Sequence, residues 1–178
     1  MDNIAKHEII HQALEIVHNL DHRGAVGADP LAGDGAGILI QIPNEFFISE
    51  LQKNKITLPS IGEYAVGMIF FPKDKYKRQK LINIIEKVVD EEGQKIIYWR
   101  DVPVDSSVLG ESVKSNEPCI KQVFIEMGDK ISTENEFERK LYIIRKQIFR
   151  NLQIHEQKFD DFYIPSLSTR TIVYKGMV

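Results

Sequence analysis

The chain has 178 residues, 43% hydrophobic and 28% charged, with a net charge of −3, proportions that suit one domain of ordinary size over residues 1–178. That balance excludes the broad basic footprint of a nucleic-acid-binding protein, and no apolar run reaches the roughly 18 residues of a membrane span. The start, Met1 to Lys6, is polar and lacks a secretory signal's apolar core, and Cys119 is the only cysteine. Neither an internal disulfide nor a thiolate metal cluster is therefore expected, and the chain reads as a cytoplasmic protein.

Residues 6–20 carry apolar side chains at Ile9, Ile10, Ala13, Leu14, Ile16, Val17 and Leu20, the period of a helix with one buried face. Five of the eleven glycines fall between residues 24 and 37, which predicts a loop or tight hairpin. Ile38 to Ile42 reads as a strand stopped by Pro43, after which Asn44 is placed to cap a short helix holding Phe46, Phe47 and Leu51. The run from Tyr64 to Phe71, ended by Pro72, predicts a strand buried on both faces. A helix over 74–92 follows, with Leu81, Ile82, Ile85, Val88 and Val89 inward and Gly93 placed to end it. Two strands, Ile96 to Val102 and Ile120 to Met127, flank a loop over 103–118. The spacing of Phe137, Leu141, Ile144, Ile148 and Leu152 predicts a helix over 133–152, whose early Glu134 and Glu136 and late Arg145, Lys146 and Arg150 suit the helix dipole. Thr171 to Tyr174 is a last strand. Strands and helices mix without strict βαβ alternation, so the expected class is α+β.

Four patterns invite a chemical reading. His7-Glu8-Ile9-Ile10-His11 matches H-E-x-x-H, in which two imidazoles on one helix face can grip zinc. His18 lies too far along the helix to join them, about 10 Å from His11, and no third ligand follows; a solvated polar flank is the better account. Gly33-Asp34-Gly35-Ala36-Gly37 follows a helix and enters a strand, the reverse of a dinucleotide fingerprint, so its glycines are ascribed to backbone conformation. Cys119, beside Pro118 at the start of an apolar strand, reads as a small buried hydrophobe. The fourth pattern is His22-Arg23-Gly24, at the exit of the first helix, where arginine before glycine can be a plain C-cap.

Leu20-Asp21-His22-Arg23-Gly24-Ala25 followed by Asp29-Pro30-Leu31-Ala32-Gly33-Asp34-Gly35-Ala36-Gly37 resembles the start of the large subunit of glutamate synthase. Pro165-Ser166-Leu167-Ser168-Thr169-Arg170-Thr171-Ile172-Val173-Tyr174-Lys175-Gly176-Met177 resembles a second signature of the same class II glutamine amidotransferase domain. The resemblance implies part of the four-layer αββα sandwich of the N-terminal-nucleophile hydrolases. It also implies a glutaminase that hands ammonia to a synthase domain making glutamate from 2-oxoglutarate. In that family an N-terminal cysteine attacks the glutamine side-chain amide, its own α-amino group acting as base. Arg23 would then help position the cysteine and its amine, and Gly24 would allow close backbone approach.

The nucleophile itself is not expected here, because none of the 22 residues before Arg23 is cysteine. The family's Q-R-F-S-T-N-T and H-N-G-E motifs, for the glutamine carboxylate and the oxyanion hole, are also absent from the sequence. The expectation is thus a portion of the domain, short at both ends and inactive alone, with glutamine and the remainder of the synthase as its implied partners. No cofactor is expected in this segment, FMN and an iron–sulfur cluster being implied for the parent enzyme. The alternative expectation is a non-catalytic interaction module that binds another synthase subunit.

Overall fold

The computed structural model describes residues 6–23, 37–154 and 161–175. Helix α1, His7–Asn19, leads into a 3₁₀ turn at Asp21–Arg23. Strand β1, Gly37–Gln41, precedes helix α2, Asn44–Gln52. Strand β2, Tyr64–Phe71, is followed by helix α3, Lys75–Glu91, and strand β3, Lys95–Asp101. The expected loop over 103–118 holds a 3₁₀ turn, Ser106–Val108, and the single-turn helix α4, Glu111–Lys114. Strand β4, Cys119–Glu126, helix α5, Glu134–Ile154, and strands β5, Tyr163–Ser168, and β6, Thr171–Lys175, complete the order.

Contacts divide the chain into two compact units, one of residues 1–37, 105–115 and 175–178, the other of 38–104 and 116–174. In the first unit α1 forms as its periodicity predicts, but its expected buried face is exposed. None of its thirteen residues is buried, and Ile9, Leu14 and Ile16 are each more than half exposed. A helix of this length is marginal in water without tertiary packing, so its amphipathic pattern specifies a contact that the described residues do not make.

In the second unit β2 organises the packing. The four-stranded antiparallel sheet has the order β3-β4-β2-β5, and β1 pairs with β6 in a separate two-stranded sheet. Successive side chains of a strand point to opposite faces. Ala65, Ile69 and Phe71 therefore meet α3 and α5 through Leu81, Ile85, Val88, Phe137, Leu141 and Ile144. Tyr64, Val66 and Met68 meet the opposite layer, made of α2 and the β1-β6 sheet, through Phe47, Leu51, Ile42 and Ile172. The result is helices, sheet and sheet in three layers, with β2 buried at every position. This is the α+β arrangement expected from the sequence.

Strand β5 is the element that pattern reading missed. Its sequence contains Pro165 and two serines, residues depleted in strands. The ladder tolerates them because β5 lies at the sheet edge and its register with β2 shifts between Met68 and Phe70, a place where a missing N–H is harmless.

Two local details show how side chains fix this layering. Asp74 caps α3 by accepting from the Lys77 N–H at 2.7 Å. At the other end Gly93, at φ +73°, donates to the Asp90 carbonyl while the Gln94 N–H bonds Val89, a Schellman ending. Asn44, by contrast, does not cap α2; Pro43 holds that position. The Asn44 Oδ1 instead accepts from the Tyr64 hydroxyl at 2.9 Å, tying α2 to β2.

Burial raises the Tyr64 phenol from 10.0 to about 12. A raised folded-state value means that this stabilisation is complete below pH 10.0 and is lost as pH climbs through about 12. Tyr64→Phe is expected to cost about 1 kcal/mol at neutral pH through the lost hydrogen bond. In urea titrations repeated at rising pH the gap between the two proteins should close over that alkaline window; a constant gap would refute the assignment.

Candidate functional site

The two resemblance motifs fall on differently built pieces of chain. Arg23 ends the 3₁₀ turn after α1, its backbone N–H bonding the Leu20 carbonyl at 2.8 Å, with an exposed side chain. Leu20 in turn bonds back to Ile16 and Val17, and the His22 Nδ1 lies 3.0 Å from the Asn19 carbonyl oxygen. The helix exit is thus wound back on α1, and among the described residues the exposed Arg23 side chain caps no carbonyl. Gly24, and the glycine-rich stretch to Ala36, lie outside the described residues.

On α1 His7, His11 and His18 are exposed, and Glu8 accepts from the Gln12 amide at 3.0 Å. The carboxylate that H-E-x-x-H would use as a base is therefore engaged one turn along its own helix. Among the described residues no group of three or more His, Cys, Asp or Glu side chains is placed to hold a metal ion. Cys119 is half-buried at the start of β4 opposite Phe71, packed against the helix-side core.

The second motif forms a corner where the chain leaves the four-stranded sheet at β5 and enters the two-stranded one at β6. Four residues, Ser168 to Thr171, make that turn, and two carboxylates from the first turns of α5 hold it. Glu138 Oε1 accepts from the Ser168 hydroxyl at 2.8 Å, from the Thr169 N–H at 2.6 Å and from the Thr169 hydroxyl at 2.6 Å. Glu134 Oε1 accepts from Arg170 Nε at 3.0 Å and, 2.8 Å from the Thr169 hydroxyl oxygen, shares that group's single proton with Glu138. The Ser168 hydroxyl oxygen also accepts from the Arg170 N–H at 3.0 Å, and the Arg170 carbonyl receives the Ile42 N–H at 2.9 Å. Six of the motif's atoms are thus spoken for within the fold, which gives this segment a structural purpose: it joins the two sheets.

The hydrogen bond from Thr169, then the Arg170 guanidinium, holds the Glu134 carboxyl below the usual carboxylate range. A lowered value stabilises above the unfolded carboxylate pKa and is lost as pH falls through the folded one, so the corner loosens in acid. Glu138→Ala should do more, because Thr169 is buried and its N–H would lose its acceptor. About 2 kcal/mol is expected, against little change for the exposed Arg139→Ala, measured by urea midpoint.

Beside the corner lies an open cleft of about 500 Å³ bordered by Gln41, Ile61, Gly62, Glu134, Thr169 and Arg170. A second polar cluster sits on the β1-β6 side of the main sheet. Arg100 donates to Gln122 Oε1 and to Glu50 Oε2, each at 3.0 Å, and lies 5.4 Å over the Phe46 ring. The fully buried Gln122 donates in turn to the Tyr174 hydroxyl at 3.2 Å. The second motif is therefore anchored twice, through its corner to α5 and through Tyr174 to β4, β3 and α2.

A family model described as glutamine amidotransferases class-II matches residues 1–178. The chain belongs to this family. It is 43% identical over 172 residues to the glutamate synthase [NADPH] large chain of Bacillus subtilis, covering 97% of this chain. It is 41% identical over 179 residues to the ferredoxin-dependent glutamate synthase of Pyropia yezoensis, and 37% identical over 180 residues to the chloroplastic ferredoxin-dependent glutamate synthase 2 of Arabidopsis thaliana, covering all of this chain in both. The chain spans 11% of the length of each of these relatives. The α+β layering agrees with the N-terminal-nucleophile fold of class II amidotransferases. The sequence singles out Arg23 and Gly24, and does not disclose the corner held by Glu134 and Glu138. Their spacing of four residues, which puts both on one side of α5, was the available signal, and a helix-dipole role accounted for Glu134 without it.

Proposed function

We propose that these residues form the scaffold of a glutaminase module of the glutamate synthase type, one that releases ammonia from glutamine for glutamate synthesis from 2-oxoglutarate. The observation that carries this reading is the match of the family over residues 1–178, with the Ser168–Thr171 part of the second motif built into a defined turn. In the working enzyme Arg23 would position the nucleophilic cysteine and its amine, and Gly24 would let the backbone approach them. The nucleophile comes from outside these residues, because Cys119 is committed to the core beside the helix layer. A polypeptide of this sequence alone is therefore expected to hydrolyse no glutamine, since loss of a nucleophile and its oxyanion donors removes many orders of magnitude in rate. Glutamate release from glutamine, followed with the purified chain, tests this; turnover above the blank would sink it.

The iron–sulfur chemistry of the synthase reaction is likewise assigned elsewhere, as one cysteine cannot supply the thiolate set of a cluster. A second reading, a non-catalytic module that binds another synthase subunit, draws support from the uncovered apolar stripe of α1. It predicts that the chain is retained by the rest of a synthase and that Ile9→Asp with Ile16→Asp abolishes retention. Equal retention of that variant would remove this reading.

A further inference from the structure

The Ser168–Thr171 corner spends only part of the polar groups that border its cleft. Glu134 meets Arg170 and Thr169 through Oε1 alone, which leaves Oε2 without a partner among the described residues. Arg170 places Nε on Glu134 and Nη2 on Asn135, and among the described residues its Nη1 is likewise unspent. The Arg170 and Glu134 side chains remain 51% and 42% exposed. Thr169, then Arg170, holds the Glu134 carboxyl below the usual carboxylate range, so it is ionised at neutral pH. The Gln41 amide and the Thr171 hydroxyl, also on the border, have no partner among the described residues.

The border is shaped as well as charged. Gly62 sits at φ +90°, a conformation that side chains rarely adopt. A β-carbon there would lie 3.8 Å from the Glu134 carboxyl carbon, so a longer side chain would fill the approach to that carboxylate. Ile61, 63% exposed, adds an apolar edge next to it. The volume of about 500 Å³ falls within the roughly 300–1,000 Å³ of small-molecule sites.

The charges on this border select among ligands. A plain anion would pair with Arg170 but face the Glu134 carboxylate, and a plain cation would meet the reverse conflict. A ligand carrying one charge of each sign on adjacent groups satisfies both, by charge-assisted hydrogen bonds. The two charged groups of an α-amino acid share one carbon, and the Glu134 and Arg170 groups are themselves in contact at 3.0 Å. A peptide, whose two termini lie apart, offers only one of the charges at a time.

We propose that this cleft binds a free α-amino acid with an aliphatic side chain. Its carboxylate meets Arg170 Nη1, its ammonium meets Glu134 Oε2, and its side chain passes over Gly62 against Ile61. The inference stands apart from the glutaminase reading, since every residue that borders the cleft belongs to the second unit.

The test is titration of the 178-residue chain with L-leucine, followed by calorimetry and by amide chemical shifts. Saturable binding with a Kd of about 0.3–3 mM is expected for so small a ligand in an open cleft, with the shifts centred on Gly62 and Thr171. Two halves of leucine serve as controls, 3-methylbutylamine without the carboxylate and 4-methylpentanoate without the amine. Each should bind about tenfold more weakly, the worth of one charge-assisted hydrogen bond. Glu134→Gln keeps an oxygen for Thr169 and Arg170 but removes the charge, and should bring leucine and 4-methylpentanoate to about equal affinity. Ile61→Ser should weaken leucine about threefold through lost apolar contact and leave glycine unaffected. Absence of leucine binding up to about 20 mM overturns the proposal. So do half-molecules that bind as well as leucine, shifts centred away from the cleft, or affinity indifferent to both variants. Should Glu134→Gln fail to fold, the exposed Ile61→Ser is judged alone by its threefold criterion.

Discussion

Phe124→Ala is expected to cost about 3–5 kcal/mol, the range for deleting a buried phenylalanine, seen as a lowered urea midpoint with an unchanged slope. Phe124 is fully buried on the β1-β6 side of β4. Its ring meets Phe47 of α2 edge-on at 5.1 Å and lies 6.4 Å from Tyr64 of β2. Alanine there removes the ring that both neighbours lean on, and the rigid strands on either side leave little room to close the gap. The alternation that puts Val123 and Ile125 on the helix side makes a control available. Ile125→Val removes one methylene from the opposite core and should cost only about 1 kcal/mol. A loss below about 1.5 kcal/mol for Phe124→Ala would mean that the second face is not packed as described.

Gly128→Ala is the second large effect, about 3 kcal/mol, the upper part of the overpacking range. A β-carbon at Gly128 would sit 1.9 Å from the Gly93 carbonyl oxygen. That neighbour is backbone and cannot swing aside. It belongs to the Schellman ending of α3, and the Gly128 N–H donates to the buried Gln94 Oε1 at 2.8 Å. The loops after α3 and after β4 thus interlock, and separating them breaks the hydrogen bond as well. Gly93→Ala provides the contrast. Open space surrounds that position, so only the positive φ is penalised, at about 1–2 kcal/mol. Equal losses from the two substitutions in urea melts would show that the close approach does not exist.

How far the fold could be read from sequence depended on whether each element's constraints were local. Tyr64 to Phe71 and the α3 segment announce themselves by unbroken apolarity and by strict three-and-four spacing, with Asp74 and Gly93 at the ends. Strand β5 could not be seen this way, because Pro165 is acceptable only once β2 lies alongside with a shifted register. The face of α1 was legible as a pattern, but whether that face is covered is settled by other chain, which periodicity cannot report. Asn44 has the composition of a cap and the surroundings of a tyrosine's partner, and a residue twenty positions away decided between them. The candidate site divides in the same way. Arg23 stands in a short motif beside a helix end. The grip of Glu134 and Glu138 on the Ser168–Thr169–Arg170 turn joins residues more than thirty positions apart.

Both outer strands of the four-stranded sheet are irregular. Pro165 accompanies the register shift of β5, and the β3 register with β4 slips between Ile96 and Tyr98. An edge strand is a template on which further chains can stack into fibrils, and bulges and prolines are the usual means of blunting it. Growth of this sheet by strand addition is thereby discouraged at its two borders. If the chain forms insoluble aggregates on heating, the first strands to pair wrongly should be those of the smaller β1-β6 sheet, where Leu39 is 62% exposed.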